Sequence, residues 1–237
     1  MEKVIAALWA TPDEGREAFG ERLLAQLPQA LADAGASQVR LNIRDATVAP
    51  AEALVQTWQQ PQQDAVVHFW LPSANDRFRG AIDRILAANS ASFAAWLVCE
   101  STIIANTVHP PRPGQRTWGW SQASFISFQS EMPRSAALAH WHGHHTRVAI
   151  ETQANFEYVQ NLIVKPLTTD APAYDAFVEE CFALDAMAEP QAFFDAVGQP
   201  EKFAVNLDRM MESCGAFIDF TRIDILPTSQ FDFASDG

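Results

Sequence analysis

Cysteine is scarce in this 237-residue chain: Cys99, Cys181 and Cys214 are far apart, odd in number and form no CxxC pair. That excludes a disulfide framework or a zinc–thiolate knot and leaves buried free thiols as the expectation. Basic residues are also few, with 16 Lys and Arg against 29 Asp and Glu for a net charge of -13, and they are scattered along the chain. Such a chain repels phosphate backbones and anionic lipid, so neither nucleic acid nor a membrane is an expected partner. No apolar run approaches the roughly 20 residues of a membrane span. The opening run at residues 4–10 is short and lacks the cationic start of a secretory signal, so a cytoplasmic protein is expected.

Chemistry-bearing motifs are missing too. Without GxGxxG or GxxxxGKS/T, nucleotide binding by glycine loops has no support. There is no GxSxG, and Ser213 before Cys214-Gly215 reads as a helix end. There is no HExxH either.

What remains is an apolar fraction of 48%, with 19% charged residues and seven tryptophans, enough for an ordered core. The patterning reads β-α-β-β-α-β: strand 3–10, helix 13–34, strand 38–43, strand 65–71, helix 77–88 and strand 93–104, with a possible short helix around Trp58. Residues 106–117, with three prolines and Gly114, read as a linker. The order then restarts: strand 118–128, helix 133–152, strands 156–164 and 176–182, one or two helices within 191–214, and strand 218–226. Gln38–Ile43 resembles 157–162, and residues 64–67 resemble 175–178, each at the matching place in its half.

These observations predict an α+β protein of two fused ferredoxin-like halves, residues 1–105 and 118–237, whose antiparallel sheets pack face to face. The space between sheet and helices is the expected pocket.

Four of the six histidines lie in His140-Trp141-His142-Gly143-His144-His145. On a regular helix His140 and His144 share one face and Trp141 and His145 the next, while Gly143, about 1 kcal/mol worse than Ala in a helix interior, suggests a kink. This segment, followed by Tyr158-Val159-Gln160-Asn161, resembles the EthD family of the dimeric α+β barrel superfamily, over residues 118 to 227. The resemblance implies a small-molecule enzyme of catabolism or natural-product tailoring, or an accessory module for an oxygenase system.

On the enzyme reading, His145 is the general acid/base, Tyr158 and Glu179 are its polar partners, and Trp141, Asn161 and Phe177 line the site for a small hydrophobic or aromatic molecule. Cyclase, isomerase, lyase or cofactor-free oxidoreductase chemistry suits a site with no cofactor motif. The alternatives are that Trp141 and His145 are core residues, that His140 and His144 are metal ligands at i, i+4 spacing, or that haem is bound, as in superfamily relatives. Glu179 and Glu180 are adjacent on a strand and must face opposite sides, one toward the pocket and the other toward solvent or the opposing sheet, and Glu179 is read as the one facing the pocket. In the first half Arg22 and Gln26 stand where Trp141 and His145 stand in the second, which implies one site per chain, the first half serving as scaffold. A monomer or weak homodimer is expected.

Overall fold

A computed structural model describes residues 1–233, so the last four residues of the expected second half lie outside the described residues. Eight strands run in chain order: β1 (Glu2–Trp9), β2 (Ser37–Ile43), β3 (Ala65–Leu71), β4 (Ser92–Ile104), β5 (Trp120–Phe128), β6 (Glu157–Pro166), β7 (Ala176–Phe182) and β8 (Ile218–Phe233). All pairings are antiparallel, and the order β1-β3-β2-β8-β5-β7-β6-β4 closes on itself through β1 and β4. Each half contributes four strands in the same relative arrangement, the ferredoxin-like one. The halves are joined at two seams, β2 with β8 and β4 with β6. The two sheets therefore face each other and are also hydrogen-bonded into one closed barrel, which leaves no free strand edge.

The seams explain one departure from the sequence pattern. Strand β8 runs seven residues past the expected end at 226, straight through Pro227. Its partner changes there: Thr228 is the last residue paired with β5, at Ser121, and Ser229 the first paired with β2, at Ile43. Proline, having no N–H to give, sits where the ladder is handed over.

Alternation along each strand sends one side chain out to the helices and the next into the barrel. In the first half α1 (Arg16–Asp33) and α2 (Asp76–Asn89) cover Val4, Leu8, Leu41, Val67 and Phe69. In the second half, α3 (Arg134–His140), a five-residue π-helical turn (Trp141–His145) and α4 (Thr146–Thr152) form one helical run. With α6 (Pro200–Gly215), it covers Ile126, Tyr158, Val178 and Ile223. A short α5 (Pro190–Phe193) precedes α6. The helix expected around Trp58 lies earlier, as 3-10 turns over Ala46–Leu54 with Asp45 capping Thr47 N–H at 3.0 Å. Short turns of this kind accommodate Pro50, and Trp58 follows in an irregular segment with its ring edge-on to Tyr174.

In the first half, helix and sheet close directly on each other. A Cβ on Gly20 would lie 2.5 Å from Ile43 Cγ2, so α1 can reach β2 only because this position has no side chain. Gly20→Ala is expected to destabilise the protein by about 1–3 kcal/mol through overpacking. The measurement is a urea unfolding curve whose midpoint falls while its slope is unchanged. Arg22, the counterpart of Trp141, pairs with Glu14 at 2.7 Å.

Candidate active site

The helical run that carries the histidines widens where Gly143 lies. The N–H of Thr146 reaches back five residues to the Trp141 carbonyl, which also accepts from Thr146 Oγ1 at 2.9 Å. Such π-turns occur mostly as single inserts in α-helices, frequently at functional sites. The wider turn changes which histidines act together. His140 Nε2 lies 3.0 Å from the Ser213 carbonyl, and His145 Nδ1 lies 3.0 Å from Ser213 Oγ, so residues five apart share one partner on α6. His144, expected to pair with His140 as a metal ligand, is exposed, with its ring 5.0 Å from that of His140. Among the described residues no three His, Cys, Asp or Glu side chains converge to hold a metal ion.

Beneath the π-turn, between the helices and the sheet, is a cavity of ≈ 160 Å³. Trp141, His145 and Tyr158 all line it, so the structure brings together three of the residues singled out in the sequence. Its apolar wall includes Ile126, Val178, Met210, Phe217, Ile223 and Ile225. Trp141 and His145 both pack against the Phe217 ring, at 6.3 and 5.0 Å.

Three expected residues are elsewhere. Glu179, Asn161 and Phe177 point into the barrel, on the opposite face of β6 and β7. There Glu179 accepts from Arg40 at 2.8 Å and from Asn42 at 2.7 Å, Asn161 accepts from Lys3 at 2.9 Å, and Phe177 packs on Phe125 and His68. The strand's parity is the reason: with Phe177 and Glu179 inside the barrel, it is Glu180 that reaches the cavity. Strand β7 is buried along its whole length, so no polar–apolar alternation shows which face meets the helices.

Glu180, weighed against Glu179 in the sequence and passed over, is the one that lines the cavity. It is buried, accepts one hydrogen bond from Asn155 Nδ2 at 2.8 Å, and is pushed up to about 7 by its burial. Directly opposite it on β6 is Tyr158, whose hydroxyl accepts from Gln160 Nε2 at 2.7 Å. Gln160 also donates to Thr146 Oγ1 at 2.9 Å, which ties the phenol to the π-turn. Burial first, and then the Glu180 charge, raise the Tyr158 phenol above its ordinary value. His145 moves the other way, down to about 4, because burial and then its neighbours His140 and His144 disfavour the imidazolium. Burial thus disfavours the charged form of all three groups, and it brings the Glu180 carboxyl up toward neutral pH.

Residues 129–221 match the family model of the EthD domain. No curated protein matches the chain significantly in sequence. Among solved structures, an anthrone oxidase-like protein aligns over 100% of this chain and 93% of its own, with a TM-score of 0.59 at 9% identity. A candidate monooxygenase from Lactobacillus acidophilus aligns over 99% and 96% (TM-score 0.47, 8% identity), and a candidate chlorite dismutase over 97% and 95% (TM-score 0.48, 9% identity). No helix among the described residues is long and apolar enough to cross a membrane. Residues 129–221, the stretch that matches the EthD model, hold the π-turn, Tyr158, Glu180 and most of the cavity wall, and the chain has the dimeric α+β barrel fold.

Proposed function

We propose that this chain is a proton-transfer enzyme acting on a small, mostly apolar, enolisable or phenolic ring compound, with Glu180 as general acid/base and Tyr158 as the donor to the substrate oxygen. The observation that carries this is the facing pair Tyr158 and Glu180 in an apolar cavity. An acid/base works best with a pKa near the working pH. Glu180 meets that condition, whereas His145, at about 4, is neutral and has one ring nitrogen engaged by Ser213. The acid/base role expected of His145 therefore passes to Glu180, and His145 becomes a neutral hydrogen-bonding wall residue.

The step is balanced within the cavity. The Glu180 carboxylate takes a proton from the carbon between the carbonyl and the C=C bond of a β,γ-unsaturated ring ketone; the C–H pair becomes a new C=C bond and the carbonyl π pair moves onto oxygen. The Tyr158 hydroxyl donates to that oxygen as charge develops, and Glu180 returns the proton at another carbon to give the isomer. The size of the cavity sets the substrate: an apolar cavity of about 150 Å³ holds a benzene, so a single ring fits. Anthrone, which gives the structural neighbour its name, has three rings, and we place this chain's substrate below that size. The first half, with its helix closed on the sheet, serves as scaffold. Because both seams close within one chain, it is read as a monomer or weak homodimer.

The test uses 3-cyclohexen-1-one in D₂O, with isomerisation to the conjugated enone followed by absorbance and deuterium uptake by NMR. The expected kcat/KM rises with pH through an inflection near 7, as Glu180 ionises. Tyr158→Phe is expected to lower kcat by about 10²-fold, the scale of losing one oxyanion donor, while His145→Gln stays within about 10-fold, below the range for a general base. No exchange above the buffer rate for this and related ring ketones would sink the proposal.

A further inference from the structure

The barrel interior holds a second cavity, ≈ 290 Å³, at the end away from its apolar packing. Lys3, Arg40, His68, Glu100, Glu157 and Asp232 line it, with two carboxylates at the rim and both cations deeper. Lys3 and Glu157 are 6% and 5% exposed and Arg40, which holds Glu157, 17%, whereas Glu100 and Asp232 at the rim are 25% and 26% exposed. Lys3 donates to Glu100 and Asn161, and Arg40 makes four bonds to Glu157, Glu179 and Asp232. An ammonium has three N–H groups and a guanidinium five, so each cation retains one.

His68 is the side chain this network leaves out. It is 2% exposed, its ring is held edge-on to Phe177, and among the described residues neither ring nitrogen has a hydrogen-bond partner. Buried polar groups are almost always paired, so an imidazole unpartnered on both nitrogens beside an open cavity points to something that occupies it.

We propose that this barrel-end cavity is a second binding site, for a small zwitterion whose carboxylate lies against Lys3, Arg40 and His68 and whose ammonium faces the rim carboxylates Glu100 and Asp232. A simple anion would have to pass a rim of carboxylates, and a simple cation would meet Lys3 and Arg40 at the floor. A molecule carrying both charges satisfies each layer and adds no net charge to a cavity whose ionised groups are already cross-paired. This site is distinct from the helix–sheet cavity and lies on the opposite face of the sheet.

The experiment titrates glycine and β-alanine into protein labelled with ¹⁵N-histidine and follows the His68 ring signals, with acetate and methylammonium as single-charge controls. The expected result is a saturable shift with a zwitterion at a concentration about 10-fold below that needed for either control, one charge-assisted contact being worth that much. His68→Phe keeps the packing on Phe177, removes two unpartnered polar atoms, raises Tm and abolishes binding. Glu100→Gln, at the partly exposed rim, keeps the fold by near-ultraviolet circular dichroism and weakens binding by about 10-fold. Absence of a saturable His68 shift up to about 100 mM of either zwitterion, weaker than any useful affinity, would overturn the proposal. So would acetate binding as tightly as glycine, or a crystal structure in which ordered waters hold both His68 nitrogens and stay in place on soaking.

Discussion

Replacing Glu180 by Gln is expected to lower turnover by about 10²–10⁴-fold and, at the same time, to make the protein more stable above pH 7. Both effects come from one buried carboxyl. Its ordinary value is 4.5, and burial raises it to about 7 in the folded chain. Because the folded value is the higher, the linked stability is fully present below pH 4.5 and is lost as pH rises through 7. Above pH 7 the fold carries a buried carboxylate at a cost of about 3 kcal/mol, at 1.36 kcal/mol per pKa unit. Glutamine keeps the shape and the acceptor for Asn155 but has no proton to lose. Urea unfolding at pH 5 and pH 8 should show the Glu180 part of wild-type stability falling by up to about 3 kcal/mol across that interval, while Glu180→Gln loses that part and keeps only the slope of other buried carboxyls such as Glu157. Turnover within threefold of wild type, or an unchanged pH slope, would remove Glu180 from the chemistry.

The same carboxyl shows where sequence reasoning stops. Element order, the two ferredoxin-like halves and their joining were legible because helical and strand periods alternate clearly and Pro110 to Gly114 separate the halves. The meeting of Trp141, His145 and Tyr158 was legible from their place on one helix and the next strand. Which face of β7 meets the helices was not, since both faces of that strand are buried. The internal similarity also had a different meaning. Asn42 and Asn161 do occupy matching places, but both point into the barrel, toward Glu179 and Lys3 respectively. The similar segments thus coincide with the interior polar network, and Asn161, read as lining the site, lies on that face of β6. Gly143 suggested a kink, yet the five-residue spacing that sends His140 and His145 to Ser213 depends on a carbonyl choice no residue type encodes.

Arg40→Met is expected to destabilise the protein by about 3–5 kcal/mol at pH 7, the scale of removing one partner from a buried ion pair. Arg40 lies 2.6 Å from Glu157, 2.8 Å from Glu179 and 2.9 Å from Asp232, and joins β2 of the first half to β6, β7 and β8 of the second. Burial works to raise Glu179, yet Arg40, His68, Asn42 and Gln230 together hold it well below its ordinary 4.5. With the folded value depressed, its contribution is present above pH 4.5 and is lost as pH falls below that. Without the guanidinium, burial and the neighbouring Glu157 act unopposed by the main cation, and the direction reverses: protonation then favours the fold. The loss in Arg40→Met should therefore be largest at pH 7–8 and should narrow on acidification toward pH 4.5, whereas wild type weakens over the acid range. Glu179→Gln is the control. It leaves Arg40 with two carboxylates and keeps an oxygen for Asn42 and Gln230, so its loss should be about 1–3 kcal/mol, that of hydrogen bonds to a charged group. Equal losses at pH 5 and pH 8 for Arg40→Met would show that its contribution is packing and not charge. Total stabilities of about 5–15 kcal/mol are usual. Removing this one cation therefore takes away a large share of what holds the halves together, and the second-half cavity depends on that closure because Gln56, from the first half, pairs with Ile225 at its wall.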